Sequence, residues 1–313
     1  MSSSQAPRFC ADCFRGTLRG DVEPQGAEET INGLPTYVAR PDGGREPAGV
    51  VVIIPDAFGW KLRNTRALAD AYAKRIPAVV LLPEFMNGYA MPETTLLTGD
   101  KIGAEKSWWY KTLVLYPVGA FTMLRHFIPL LLATRQGVIV PRIKNYLRAL
   151  RLDPPTPLPR PSTSTTASSA GGAETSAAAK NLKIGVAGFC WGGKHTVQLA
   201  QGTAGPYAEA LVDCGYTAHP SLLSLPGDME KVALPLSLAN GDDDMMMPRA
   251  KMARVKEVLG AKAYCEVREY PGATHGFAVR GDPNDERQAD MGMRAEDQAV
   301  GWFRRWFGQG PEA

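Results

Sequence analysis

The sequence has little of several features that mark particular classes of protein. It contains four histidines and five cysteines in 313 residues, and its formal net charge is only +3. Basic and acidic residues are interspersed, and no long block of lysines and arginines forms the positive patch that nucleic-acid binding needs. We therefore expect no nucleic-acid partner.

The cysteines are also too few and too scattered for a disulfide scaffold or a metal site. Their number is odd, and the first residues, MSSSQAPRFC, have no apolar segment of the kind found in secretory signals. Cys10 and Cys13 form a lone Cys-x-x-Cys pair, which is half of the ligand set of a structural zinc site. The sequence thus predicts reduced thiols, a cytoplasmic location and no metal.

Long hydrophobic runs are scarce, and residues 113–132 are the exception. Their length is close to the roughly 20 residues that cross a bilayer. Arg125 and His126 near the middle argue against a span, and Pro117 and Pro129 are expected to break the run into shorter helices. We expect no integral membrane span, but cap helices at about 105–152. They would be a pair of helices from this run that cap the active site or pack on the sheet, and a further amphipathic helix at 139–152. Peripheral membrane contact is the alternative.

Aromatic residues are absent from residues 153–181, which are mostly Pro, Ser, Thr, Ala and Gly. Such a composition cannot bury a core, so it predicts a disordered low-complexity insertion. Strands are predicted on both sides of it. We therefore expect a single domain over residues 1–313, and not two domains joined by a linker.

Apolar segments of strand length alternate with helical patterns elsewhere. GVVVII at 49–54 is typical of a central strand covered on both faces, and residues 28–38 contain an Asn-Gly hairpin signal. Further strands are predicted at 76–83 and 209–215. With 44% hydrophobic residues, the chain can bury one large α/β core.

Residues 183–194, KIGVAGFCWGGK, predict a buried strand, a cysteine flanked by glycines and then a helix. A residue at the apex of such a sharp turn has a strained backbone, and the glycines leave room for the turn. The pattern is typical of a nucleophile elbow with Cys190 at its apex. The N–H of Trp191, at the helix N-terminus, would then be free to stabilise an oxyanion. A glycine-rich turn with a buried structural cysteine is the alternative.

An acidic turn and a histidine follow in the chain order nucleophile, acid, histidine that one large class of hydrolases uses. The turn is GDDDMMMP at 241–248, and His275 lies in PGATHGF after another predicted strand. An acid in this place would hold the imidazole in the tautomer that faces the nucleophile. His219 also follows a predicted strand and is the rival general base, but the chain order favours His275.

Four segments, GFCWGGK, PDAFGW, GDDDMMMP and PGATHGF, together resemble the dienelactone hydrolase family (carboxymethylenebutenolidases), and in particular its fungal-type branch. The resemblance covers about residues 10–100 and 181–308. It implies an α/β-hydrolase fold with a mostly parallel central sheet, helices on both faces and a Cys-Asp-His triad.

The resemblance also implies roles for individual residues. Family members have an acid followed by three residues and a proline, which places the triad acid at Asp244, with Asp243 as the fallback. The amide of Ala57 would be the second oxyanion donor. Asp56 matches an acid that contacts the nucleophile in relatives, and Arg280 lies near an arginine that holds the substrate's carboxylate. A strand-end turn residue and an exposed loop arginine are the respective alternatives.

These features predict an enzyme that cleaves a small ester or lactone, similar to a dienelactone, through an acyl-enzyme on Cys190. A small molecule is the expected partner, no cofactor is implied, and the oligomeric state is not predicted. Two alternatives stay open: a general carboxylesterase or thioesterase, and a non-catalytic protein in which Cys190 senses oxidants.

Overall fold

A computed structural model describes residues 23–44, 47–154, 182–281 and 285–308 of the chain. Within these ranges, eight strands form one sheet in the order β1-β2-β4-β3-β5-β6-β7-β8. The strands are β1 (Ala27–Ile31), β2 (Leu34–Ala39), β3 (Gly49–Ile54), β4 (Ala78–Pro83), β5 (Ile184–Phe189), β6 (Cys214–Ala218), β7 (Leu236–Gly241) and β8 (Cys265–Tyr270). β2 runs antiparallel to β1 and β4, and the other neighbours are parallel. The predicted mostly parallel α/β sheet is confirmed.

The helices lie on both faces of this sheet, as predicted. They are α1 (Arg63–Arg75), α2 (Thr94–Ala104), α3 (Trp108–Ala133), α4 (Gln136–Leu152), α5 (Trp191–Ala200), α6 (Gly227–Glu230), α7 (Arg249–Gly260), α8 (Phe277–Arg280) and α9 (Glu286–Trp306). Side chains of α1 and α9 pack against the strand residues on one face of the sheet. Those of α4, α5 and α7 pack against the strand residues on the other face. Alternate residues of β3 therefore enter different cores, which explains its unbroken apolar sequence.

The predicted hairpin is present in the structure, whereas one predicted strand has different bounds. β1 and β2 form the predicted hairpin, and Asn32 (φ 49°) and Gly33 (φ 78°) provide its left-handed turn. The strand predicted at 209–215 is wrong in its bounds, since β6 begins at Cys214. The carboxylate of Asp213 accepts hydrogen bonds from the N–H of Ile184 and the side chain of Arg151, and so stays at the entrance to the sheet.

The prediction that the prolines break the run at 113–132 into a pair of helices is wrong, because α3 is continuous there, whereas the further helix predicted at 139–152 is α4. Pro117 and Pro129 both lie inside the continuous helical run of α3. Residues 111–115 form a π turn in which the N–H of Tyr116 bonds to the carbonyl of Lys111. The hydrogen-bond ladder is therefore already displaced where the N–H of Pro117 is missing.

Helix α4 packs on the sheet through Ile139, Ile143, Tyr146, Leu147 and Leu150, all of which are buried. The insertion predicted at 153–181 lies, from residue 155 on, outside the described residues, as does the Cys10–Cys13 pair.

Candidate active site

Cys190 lies at the carboxyl edge of the sheet, between β5 and α5. Its backbone has φ 52° and ψ −112°, a combination that ordinary residues rarely adopt. A Cβ at Gly192 would lie 2.0 Å from the carbonyl oxygen of Ile54, and one at Gly188 would lie 2.1 Å from Oγ1 of Thr196. The glycines are therefore required by close packing, and the sharp strand-to-helix turn that they permit exposes the sulfur side of Cys190 to the loops around it.

His275 and Asp244 come together at the same edge, each on the loop that follows its strand. Nδ1 of His275 is 2.9 Å from Oδ2 and 3.1 Å from Oδ1 of Asp244, and both side chains are fully buried. The N–H of Met246 also donates to the Asp244 carboxylate, at 2.8 Å. The neighbouring Asp243 is exposed. The structure thus places Asp244, and not Asp243, against the imidazole.

The charges of this cluster favour the protonated form of His275. Burial by itself lowers the pKa of His275, but the sulfur of Cys190 and the carboxylate of Asp244 outweigh it and raise the pKa to about 10. Since Nδ1 faces Asp244, Nε2 is the ring nitrogen that is left to interact with the sulfur. Such surroundings favour a proton on the imidazole, which is the state in which a neighbouring sulfur is nucleophilic.

The other two cysteines within the described residues have environments that favour the thiol. Burial raises the pKa of Cys214, and burial also raises the pKa of Cys265 to about 11. We therefore expect Cys190 to be alkylated first when the protein is treated briefly with iodoacetamide at neutral pH, because the thiolate is the reacting species. Peptide mapping by mass spectrometry measures this. Faster labelling of Cys214 or Cys265 would contradict the assignment.

Two backbone amides belong to segments that lie close to Cys190. Trp191 is the first residue of α5, and the first N–H groups of a helix have no partner within it. Ala57 lies three residues after the end of β3, and its carbonyl accepts a 2.8 Å hydrogen bond from the N–H of Met91, which fixes the loop. The helix dipole adds a positive potential at Trp191. Such a pair of donors can stabilise a developing oxyanion.

Asp56 and Arg280 form a buried ion pair next to this loop. Nε of Arg280 lies 3.1 Å from Oδ2 of Asp56, and both side chains are about 1% exposed. The guanidinium also lies 5.1 Å from the centre of the Phe58 ring. Burial raises the pKa of the Asp56 carboxyl, and the positive charge of Arg280 opposes that rise. Arg280 is therefore not the exposed loop residue that was one reading of the sequence.

Histidines other than His275 have different surroundings. His219 is fully buried, and its ring centre is 5.0 Å from that of His275. Burial lowers its pKa well below the usual value, and the charges of His275 and Arg280 lower it further. It is therefore a neutral ring against the side of His275. The ring of His195 lies 4.6 Å from that of Trp191, and its Nδ1 is 3.0 Å from the hydroxyl of Tyr207.

Ser221 is a neighbour of the cysteine that sequence reasoning missed. Its Oγ lies 3.7 Å from Sγ of Cys190, and its N–H donates to the Cys190 carbonyl at 3.0 Å. No motif marks it, because it reaches the site only when the loop after β6 folds over the elbow.

A cavity of about 240 Å³ opens beside the Ala57 loop. It is lined by Phe58, Trp60, Leu62, Met91, Pro92 and Glu93, among others. The cavity shares Phe58 with the Arg280 contact, so it adjoins the site, and it is mostly apolar. In the part of the chain that the structure describes, no three His, Cys, Asp or Glu side chains cluster so as to hold a metal ion.

Comparisons with known proteins indicate what the chain as a whole is similar to. Residues 165–307 match the model of the dienelactone hydrolase family. A protein named hydrolase tropI from Talaromyces stipitatus is 26% identical over 94% of this chain and 95% of its own. A protein named dienlactone hydrolase 1 from Gibberella moniliformis is 23% identical, over 93% of this chain and 91% of its own. The crystal structure of a dienelactone hydrolase from Anabaena variabilis has a TM-score of 0.50 at 16% identity, and the match covers 91% of this chain and 99% of that one.

Proposed function

We propose that this chain, which matches the model of the dienelactone hydrolase family over residues 165–307, cleaves a small ester or lactone through a triad of Cys190, His275 and Asp244. The observation that carries the proposal is the buried contact between His275 and Asp244 beside a cysteine at a strained strand-to-helix apex. A structural cysteine has no need of that backbone strain or of a buried charged partner.

In the first half of the reaction the thiolate of Cys190 attacks the carbonyl carbon of the substrate. The negative charge moves to the carbonyl oxygen, where the N–H groups of Trp191 and Ala57 stabilise it. When the tetrahedral intermediate collapses, the C–O bond breaks and the leaving alkoxide takes the proton of the His275 imidazolium. The result is a thioester on Cys190 and a neutral imidazole. A lactone stays attached as a ring-opened acyl group.

In the second half, the neutral imidazole of His275 accepts a proton from water as the water attacks the thioester. Asp244 stabilises the imidazolium that forms and keeps Nδ1 turned away from the sulfur. Collapse of the second intermediate releases the carboxylic acid and restores the thiolate. The proton and the charge of the pair are then as they were at the start, so no cofactor enters the cycle.

For the substrate, the proposal is a lactone that bears its own carboxylate. The name of a mouse relative, carboxymethylenebutenolidase homolog, denotes a lactone that bears a carboxymethylene group. Arg280 is a buried cation paired with Asp56, which itself interacts electrostatically with Cys190. A substrate carboxylate at Arg280 would have to compete with Asp56. Burial raises the pKa of the Asp56 carboxyl and so favours its neutral form. Asp56 is therefore a weak competitor for the guanidinium of Arg280. The adjoining cavity of about 240 Å³ suits a small acyl group.

A panel of carboxylate-bearing lactones, neutral lactones, activated esters and thioesters tests the proposal. Hydrolysis of the carboxylate-bearing lactones with the highest kcat/KM is the expected result. Turnover of esters or thioesters with no preference for lactones would favour a general esterase. No turnover of any, together with reversible oxidation of Cys190, would favour an oxidant-sensing thiol.

The pH dependence of His275 provides an independent check. Because the folded-state pKa is raised from 6.5 to about 10, His275 contributes stability that is complete below pH 6.5 and is lost as the pH rises through about 10. We expect the difference in unfolding free energy between the wild type and His275→Gln to shrink over that window. The imidazole signals in NMR spectra should titrate near its upper end, and titration near pH 6.5 would contradict the charged pair.

A further inference from the structure

Helix α3 exposes an apolar surface along most of its length. We call this the α3 outer face; it consists of Leu113, Tyr116, Phe121, Leu124, Ile128 and Leu132, which are 47% to 69% exposed. These residues recur three to five positions apart, so they lie on one side of the helix. From the first to the last, the helix rises about 28 Å at 1.5 Å per residue. Continuous exposed apolar surface of this size is uncommon on soluble proteins and marks interaction sites.

The opposite side of α3 holds the helix to the protein. Leu130 and Thr134 are buried. Met123 and Phe127 pack against the core that lies between the sheet and α1. Although α3 is long and apolar enough to cross a bilayer, it cannot do so without giving up these contacts. Its geometry therefore suits a helix that lies along a surface.

The charges within the α3 and α4 segment have one sign. From Lys106 to Leu152 the sequence contains no aspartate or glutamate. Within the described residues, the basic side chains of α4 pair with acids from other elements, whereas no ion pair involves Lys106, Lys111 or Arg125 of the α3 region. Three cations with no ion pair among the described residues thus flank an apolar face, which is electrostatically complementary to an anionic partner.

The beginning of α3 carries a cluster of aromatic residues. Trp108 is 75% exposed, Trp109 is 56% exposed, and Tyr110 and Tyr116 follow them. Tryptophan and tyrosine next to lysine are typical of the boundary between lipid and water, where an apolar ring and a polar edge are both accommodated. Lys106 and Lys111 lie on either side of the cluster.

We propose that the α3 outer face binds the surface of an anionic lipid bilayer, with the helix in the plane of the headgroups and its apolar side chains below them. A second copy of this chain is a poorer occupant, since it would bring two sets of cations together. The bilayer accounts for the apolar face, the positive charge and the aromatic cluster at once.

Sedimentation of the full-length protein with unilamellar vesicles tests the proposal. Binding to vesicles of phosphatidylcholine and phosphatidylserine is expected, with little binding to phosphatidylcholine alone. The variant Leu113→Ser/Phe121→Ser/Leu124→Ser should bind roughly a hundredfold or more weakly, since each side chain loses burial in lipid. Lys111→Gln/Arg125→Gln should weaken binding by roughly fivefold for each charge, and more so at low salt.

Quenching of tryptophan fluorescence by brominated lipids gives a second readout. The quenching should be lost in Trp108→Phe/Trp109→Phe, which leaves the other four tryptophans in place. Met293→Ser is the matched control, because Met293 is a 59% exposed apolar side chain on α9. It should bind vesicles like the wild type.

Three results would overturn the proposal. The first is failure to bind either kind of vesicle, and the second is equal binding to neutral and anionic vesicles. The third is a wild-type dimer that dissociates in the triple serine variant, as measured by light scattering, because the face would then be covered by a second copy. None of these outcomes depends on catalysis, so the proposed hydrolase activity is tested separately.

Discussion

The variants Cys190→Ala and His275→Ala should each have a kcat/KM for an ester or lactone substrate that is about 10⁴-fold or more lower than that of the wild type. Removal of a triad member has an effect of this size in other hydrolases. The reason is that neither residue works alone: the sulfur attacks as a thiolate, and the imidazole that raises the thiolate population also supplies the proton for the leaving group. The double variant should therefore be no slower than either single variant. Steady-state kinetics on the best substrate of the panel measure all three.

Matched variants separate the chemistry from general damage to the fold. Cys265→Ser and His126→Ala change the same residue types outside the site and should keep wild-type turnover. Asp244→Asn should lose much of the activity because the imidazole is no longer held in its tautomer, whereas Asp243→Asn should lose almost none. Additive losses in the double variant, or an active Cys190→Ala protein, would contradict the proposed triad.

Much of the fold followed from local sequence patterns. The central strands are continuous apolar runs because both faces are covered, and the glycines around Cys190 are present because a side chain would collide with the carbonyl of Ile54 or the side chain of Thr196. Such constraints act over a few residues, so they leave a readable mark on the sequence. The order cysteine, acid, histidine is likewise visible before any coordinates are known.

What could not be predicted depends on contacts between distant segments. Ser221 comes to the site through the path of one loop and carries no motif, and the packing of the His219 ring against His275 depends on the same loop. The burial of Arg280 against Asp56 joins residues more than two hundred positions apart. Helix α3 shows the converse problem: Pro117 has a strong local tendency to end a helix, but the preceding π turn accommodates it.

The pair of Asp56 and Arg280 should have the largest effect on stability among the site residues. Arg280→Ala leaves a buried carboxylate without its cation, a change that costs about 3 to 5 kcal/mol in comparable buried pairs. Denaturant unfolding measures this cost. Asp56→Ala/Arg280→Ala should recover part of it, because the double variant has no unpaired buried charge.

The pH dependence of that cost follows from the carboxyl group. Without Arg280, the effect that lowers the pKa of Asp56 is gone, so the pKa rises further above 3.8 in the folded protein. A carboxyl with a raised folded-state pKa destabilises the protein increasingly as the pH rises above the unfolded-state value. The stability lost in Arg280→Ala should therefore grow with pH and then level off. A loss that is the same at every pH would mean that Asp56 stays charged or that the damage lies elsewhere.

The same variant tests whether Arg280 also binds the substrate. A charge-assisted contact with a substrate carboxylate, worth roughly 1.5 to 3 kcal/mol, should give carboxylate-bearing lactones about a tenfold to hundredfold advantage in kcat/KM over neutral esters. Arg280→Ala should remove that advantage, and Arg280→Lys should keep part of it, when both are assayed well below their unfolding temperatures. If Arg280→Ala lowers kcat/KM equally for charged and neutral substrates, Arg280 supports the Asp56 loop and does not bind the substrate's carboxylate.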